Sequence, residues 1–94
     1  MSYVKTKNAR RYAMARIIDG EKKNLIGSSL KRLREKKKMS QEALSGKLEL
    51  QGVYVCRGSV SRIEDYSRTV TDIELCAIAE ALGVSPLDLL ESSD

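Results

Sequence analysis

The segment TDIELCAIAEALGVSPLDLL, Thr71 to Leu90, carries two helix starts and one helix stop, and so leaves the chain little freedom there. Thr71 with Glu74 is a capping box, in which the hydroxyl accepts from the Glu74 amide and the carboxylate returns to the Thr71 amide. Gly83 supplies the left-handed residue that closes a helix. Ser85, Pro86 and Asp88 open another at once, with a serine cap, proline at the first helical position and an acid at the third. Two short helices joined at a sharp corner predict a small all-α domain. Ninety-four residues allow one small core, and a chain without Trp or Phe must fill it with Leu, Ile, Val and Ala.

Helical periodicity continues upstream. Asn8 caps a first segment with Ala9, Tyr12, Ala13 and Ile17 on one stripe and Gly20 as its stop, followed by the polar linker GEKKN. A second helix, about Leu25 to Lys37, aligns Ile26, Leu30 and Leu33 and presents Lys31, Arg32, Lys36 and Lys38 outward. Ser40 caps a third, about Gln41 to Leu48, which turns Leu44 and Leu48 inward. The fourth runs from about Arg57 to Asp65 with Val60 and Ile63 on its buried side. No internal repeat or low-complexity segment interrupts the series.

Several function classes fall away. With no His, the commonest general base and metal ligand are both missing. No nucleophile with a base, carboxylate pair or metal set is visible, so neither an enzyme nor a cofactor or metal is expected. Two cysteines, Cys56 and Cys76, make neither a disulfide framework nor a zinc set; Cys76 reads as a core residue. No apolar run is long enough to span a bilayer and the N-terminus lacks the apolar block of a signal peptide, which predicts a soluble, cytoplasmic protein with no membrane partner.

Charge is polarised along the chain. Residues 1–48 hold fourteen Lys or Arg against four Asp or Glu, whereas residues 49–94 hold three against nine. One surface should attract a polyanion and another repel it. Charge alone leaves a solvated basic helix as an equal reading.

Three stretches in order, LREKKKMSQEAL, SVSRIE and TDIELCAIAEALGVSPLDLL, resemble the helix-turn-helix domain of the phage repressor and Cro type, the Xre family. The resemblance spans about Leu25 to Leu90. It implies an all-α fold, a five-helix repressor-like domain over residues 25–92; outside the resemblance, the residues themselves predict a basic N-terminal segment, residues 1–24, with one additional short helix. It also implies a DNA-binding transcriptional regulator, a repressor acting as a homodimer on double-stranded DNA, with the helix from Arg57 to Asp65 in the major groove.

On a helical wheel that fourth helix points Gly58, Ser61, Arg62 and Asp65 away from Val60 and Ile63, with Arg57 on the flank. Gly58 permits close backbone approach, and Arg57 or Arg62 can make a bidentate contact to guanine. The expected base-contacting set is therefore Arg57, Gly58, Ser61 and Arg62. Gln41 opens the preceding helix, where relatives commonly bind a phosphate. Lys38, Lys47, Tyr54, Ser67, Arg68 and Thr69 complete the expected phosphate-contacting set. The family also often pairs the positions of Arg34 and Glu64 in a partly buried ion pair; otherwise the two are independent surface charges.

The chain departs from the family at the connector. ELQGVY lengthens the usual turn, with Gly52 as the expected bend, Val53 and Val55 at the core edge, and Tyr54 either on a phosphate or covering apolar surface. Lys38 stands where a Gly is frequent, Gly46 lies inside a helix, and Cys56 takes the place of a Ser cap. The alternative function is a protein-interaction module, an antitoxin or adaptor on the same fold. Arg10, Arg11, Tyr12, Met14, Ile17 and Ile18 would then form its partner helix.

Overall fold

Helix caps divide the chain where the sequence places them. The computed structural model describes residues 22–91, and within them five α-helices and no strand. These are α1 (Gly27–Lys36), α2 (Gln41–Leu50), α3 (Arg57–Glu64), α4 (Asp72–Leu82) and α5 (Pro86–Leu90). The additional helix expected between Asn8 and Gly20 lies outside the described residues. No helix among those described is long and apolar enough to cross a membrane.

Both capping boxes form, Thr71 with Glu74 and Ser85 with Asp88, and the Ser40 hydroxyl accepts from the Ala43 amide. Helix α1 starts at Gly27, later than Leu25, because Asn24 Oδ1 accepts from the Ile26 and Gly27 amides and so takes over the first free donors. Four helices end in one motif, with a left-handed residue followed by a six-to-one backbone bond. In α1 the left-handed residue is Lys38 and Met39 N donates to Arg34 O; in α2 it is Gly52 and Val53 N donates to Leu48 O. In α3 it is Tyr66, with Ser67 N to Arg62 O, and in α4 Gly83, with Val84 N to Ala79 O. Gly52 is thus the bend of the long connector, and α2 runs to Leu50 before it.

One apolar core unites the five helices. Ile26, Leu30 and Leu33 meet Leu44 and Leu48 of α2, Val60 and Ile63 of α3, Ile78 and Leu82 of α4, and Leu89 of α5. Each fully buried Leu or Ile contributes about 1.5–3 kcal/mol relative to exposure. Val55 is buried and Val53 half-buried, so the connector closes the core edge between α2 and α3. Helix α2 packs on α3 and α4, and α1 on α3 and α5. The pair α2 and α3 is therefore braced from both sides.

Cys76 is a correction. It is exposed, because it sits about 160° around α4 from the buried Ile78. It rims a shallow groove with Gln51, Val53 and Ile73.

Candidate nucleic-acid interface

Helix α3 divides cleanly. Val60 and Ile63 are fully buried, whereas Gly58, Ser61, Arg62 and Asp65 are exposed on the opposite side and Arg57 is exposed on the flank. Cys56 is the N-cap residue but makes no side-chain cap bond, leaving the first amides of α3 to solvent. Its thiol instead reaches the Ser59 hydroxyl at 3.5 Å, and that hydroxyl, the largest influence on it, holds the thiol below its usual range.

Arg62 does not extend straight outward. Its Nη2 donates to Ser59 Oγ at 3.3 Å, and its Nη1 lies 3.6 Å from where a Cβ on Gly58 would stand. The guanidinium therefore lies back along the first turn of α3, over the one residue there without a side chain. Arg57 has no ion-pair partner among the described residues. Two guanidinium groups and a bare stretch of backbone thus share the start of the helix.

The remaining residues flank α2 and α3. Lys38 lies in the α1–α2 turn, Lys47 is exposed in the last turn of α2, and Tyr54, 78% exposed, stands two residues before the α3 cap. Beyond α3, Ser67 turns its hydroxyl to Asp65 Oδ1 and Arg62 O, and Thr69 is exposed. Arg68 is half-buried and makes a two-pronged pair with Glu74, Nη1 to Oε1 at 3.0 Å and Nη2 to Oε2 at 2.9 Å. Its Nη1 also donates to Thr69 O, so much of this side chain is committed to the loop and the start of α4.

Arg34 and Glu64 tie the frame together. Arg34 Nε donates to Glu64 Oε2 at 2.7 Å and Nη2 to Oε1 at 3.1 Å, with the two side chains 9% and 5% exposed. Arg34 Nη1 donates to Met39 O at 2.8 Å, just before the α2 cap. Gln41, the first residue of α2, donates from Nε2 to Glu64 Oε1 at 3.0 Å. The end of α1, the start of α2 and the end of α3 therefore converge on one carboxylate.

Asn24 is a residue that sequence reading passed over as linker. While its Oδ1 caps α1, its Nδ2 donates to Ile63 O at 3.0 Å and Arg68 O at 2.8 Å. It fastens the start of α1 to the end of α3 and to the loop beyond. The available signal was a short polar side chain just ahead of the Ile26, Leu30, Leu33 stripe, where helix starts are capped. Tyr66 works beside it: its hydroxyl accepts from Ser28 N and donates to Ser28 Oγ, and Lys22 Nζ lies 4.5 Å from its ring centre.

A solvent-facing helix rich in Arg, Gly and Ser, its own N-terminus free of a side-chain cap and its flank braced on the preceding helix, is the arrangement that inserts into a DNA major groove. The helix-turn-helix family model HTH_3 matches residues 30–89. The chain belongs to this helix-turn-helix family, of the repressor and Cro type. It is an all-α DNA-binding transcriptional regulator. Among solved structures it is similar to the restriction-modification controller protein C.AhdI from Aeromonas hydrophila, with 31% identity and a TM-score of 0.60, over 68% of this chain and 86% of that one. No curated protein matches the chain.

Proposed function

We propose that this helix-turn-helix protein is a sequence-specific repressor that occupies its operator as a homodimer. The observation that carries this reading is the exposed face of α3, where Arg57, Gly58, Ser61 and Arg62 stand clear of the core. These residues read base edges, each good bidentate arginine contact being worth roughly 1–3 kcal/mol of discrimination. Gln41, Lys38, Lys47, Tyr54, Ser67 and Thr69 fix the register on phosphates. Arg68 joins them through the N–H groups that Glu74 and Thr69 O leave free. One domain of this size covers one half-site, and a second copy on a two-fold operator raises affinity through effective concentration. Likeness to a restriction-modification controller makes the DNA flanking such a locus the first operator to try.

The test is a titration of random and candidate operator duplexes at several salt concentrations, with wild type and Arg62→Ala. Log affinity should fall steeply with log salt. Arg62→Ala should narrow the gap between operator and random duplex while leaving random-duplex affinity largely in place. A flat salt slope would overturn the reading and favour a protein-binding role for the same fold.

A further inference from the structure

The carboxylate of Glu64 accepts more than its ion pair requires. Two of its bonds come from Arg34, and the third, from Gln41 Nε2 at 3.0 Å, serves a residue that is only half-buried at the start of α2. A carboxylate can accept but not donate, so a Gln beside it has one allowed orientation, with its NH2 toward the carboxylate. One N–H of that nitrogen goes to Glu64 and the other remains for a second acceptor. Without such a partner the terminal amide torsion of Gln is broad and roughly two-fold, and half of its orientations would turn the amide oxygen toward a phosphate, which repels it.

We propose that Glu64 is a positioning residue for DNA binding: without touching the duplex, it sets the Gln41 amide so that an N–H points to the phosphate backbone. This rests on the reading of Gln41 as a phosphate anchor. Arg34 makes the arrangement usable. Its guanidinium neutralises Glu64, whose charge would otherwise oppose an approaching phosphate, and through Met39 O it holds the turn from which α2 starts.

The sign of one substitution separates this role from simple electrostatics. Glu64→Gln removes a negative charge and frees Arg34, so charge alone would tighten duplex binding. The positioning role requires weakening, because an amide in place of the carboxylate both donates and accepts and no longer dictates the Gln41 orientation. Affinity for random duplex is measured for wild type, Gln41→Ala, Glu64→Gln and the double variant, at a temperature where far-ultraviolet circular dichroism shows each folded. Gln41→Ala should weaken binding on the order of tenfold, as for loss of a hydrogen bond to a charged group. Glu64→Gln should weaken it about two- to five-fold in wild type, and leave it unchanged or tighter in the Gln41→Ala background.

An equal loss in both backgrounds, or tighter binding by Glu64→Gln alone, overturns the proposal while leaving DNA binding by α3 intact. An unchanged Gln41→Ala removes the phosphate anchor and this inference together. Absence of duplex binding by wild type refutes the functional reading itself. Should Glu64→Gln fail to fold, the side-chain amide protons of Gln41 in wild type provide the readout. The proton bound to Glu64 should resonate downfield of its position in the unfolded chain, and duplex DNA should shift mainly the other proton of the pair. Both resonances at their unfolded-chain positions, or neither moved by DNA, overturn the proposal.

Discussion

The carbonyl oxygen of Ile63 lies 2.7 Å from where a Cβ on Gly27 would stand, so α1 and α3 approach more closely than any side chain at Gly27 permits. The Glu64 carbonyl is 2.9 Å from the same point. Both obstacles are backbone and neither can swing aside. Gly27→Ala should therefore destabilise the domain by about 2 kcal/mol, through the same kind of forced backbone shift as overpacking a core. Gly46 is the contrast, a helical glycine with nothing within 4 Å of its would-be Cβ. Gly46→Ala should stabilise by about 1 kcal/mol. Thermal unfolding of the two variants should shift in opposite directions, by about 4–8 °C per kcal/mol for a domain of this size; shifts of one sign would contradict the close approach.

Lys38 separates stability from binding. It ends α1 at φ 58°, a left-handed conformation that costs a residue with a Cβ roughly 1–2 kcal/mol. Glycine removes that strain but adds freedom to the unfolded chain, and the net gain for Lys38→Gly should be about 0.5–1 kcal/mol. If Lys38 also neutralises a phosphate, the same variant should bind random duplex more weakly, with a salt slope shallower by about one unit. Higher melting temperature with an unchanged slope would leave Lys38 as a solvated surface charge.

Glu74 gives the fold a defined acid response. The two-pronged bond from Arg68, helped by the Thr71 amide and hydroxyl, holds its pKa below the usual carboxylate value near 4.5. Since the folded value is depressed, the stabilisation is fully present above the unfolded pKa and is lost as pH falls through the folded one. Glu74→Gln should accordingly be less stable than wild type at neutral pH, and the two should converge as pH drops below about 4.5. Melting curves from about pH 7 to about pH 3 check this. A gap that stays constant over that range would show that the bond pattern does not favour the ionised form.

Where the sequence was legible, the controlling chemistry was local. Thr71 with Glu74, and Ser85, Pro86 and Asp88, specify their helix starts within four residues, and the Val60 and Ile63 spacing orients α3 without knowledge of its neighbours. Cys76 was misread because residue type was weighed above helix phase: the same wheel that buries Ile78 turns Cys76 outward. Tyr66 was hidden for a different reason. A tyrosine at φ 69° is not signalled by composition, and the partners that fasten it, Ser28 at its hydroxyl and the Lys23 amide at its carbonyl, lie far away along the chain. Separation along the chain also hid the third bond of Glu64: periodicity places Gln41 and Glu64 on separate helices, and only the packed turn brings them to 3.0 Å.

Asn24 makes the widest-reaching prediction, because one amide serves four backbone groups. Its oxygen accepts from the Ile26 and Gly27 amides and its nitrogen donates to the Ile63 and Arg68 carbonyls. Asn24→Ala loses a helix cap, about 1 kcal/mol, and strands partly buried carbonyls at roughly a further 1–3 kcal/mol, so about 3 kcal/mol in all is expected. The damage should be local as well as global: amide exchange at Ile26 and Gly27 should quicken more than at Leu44 or Ile78. Asn24→Asp divides the two halves of the role. One carboxylate oxygen still caps α1, but the other now faces two carbonyls and repels them unless it is protonated. The folded pKa of the substituted carboxyl should be raised, so the deficit of Asn24→Asp against wild type is largest at neutral pH and shrinks as pH falls through that raised value. Chemical denaturation of wild type, Asn24→Ala and Asn24→Asp at about pH 7 and about pH 5 measures it. A deficit for Asn24→Asp that does not narrow at the lower pH would mean that the Ile63 and Arg68 carbonyls do not depend on the Asn24 amide.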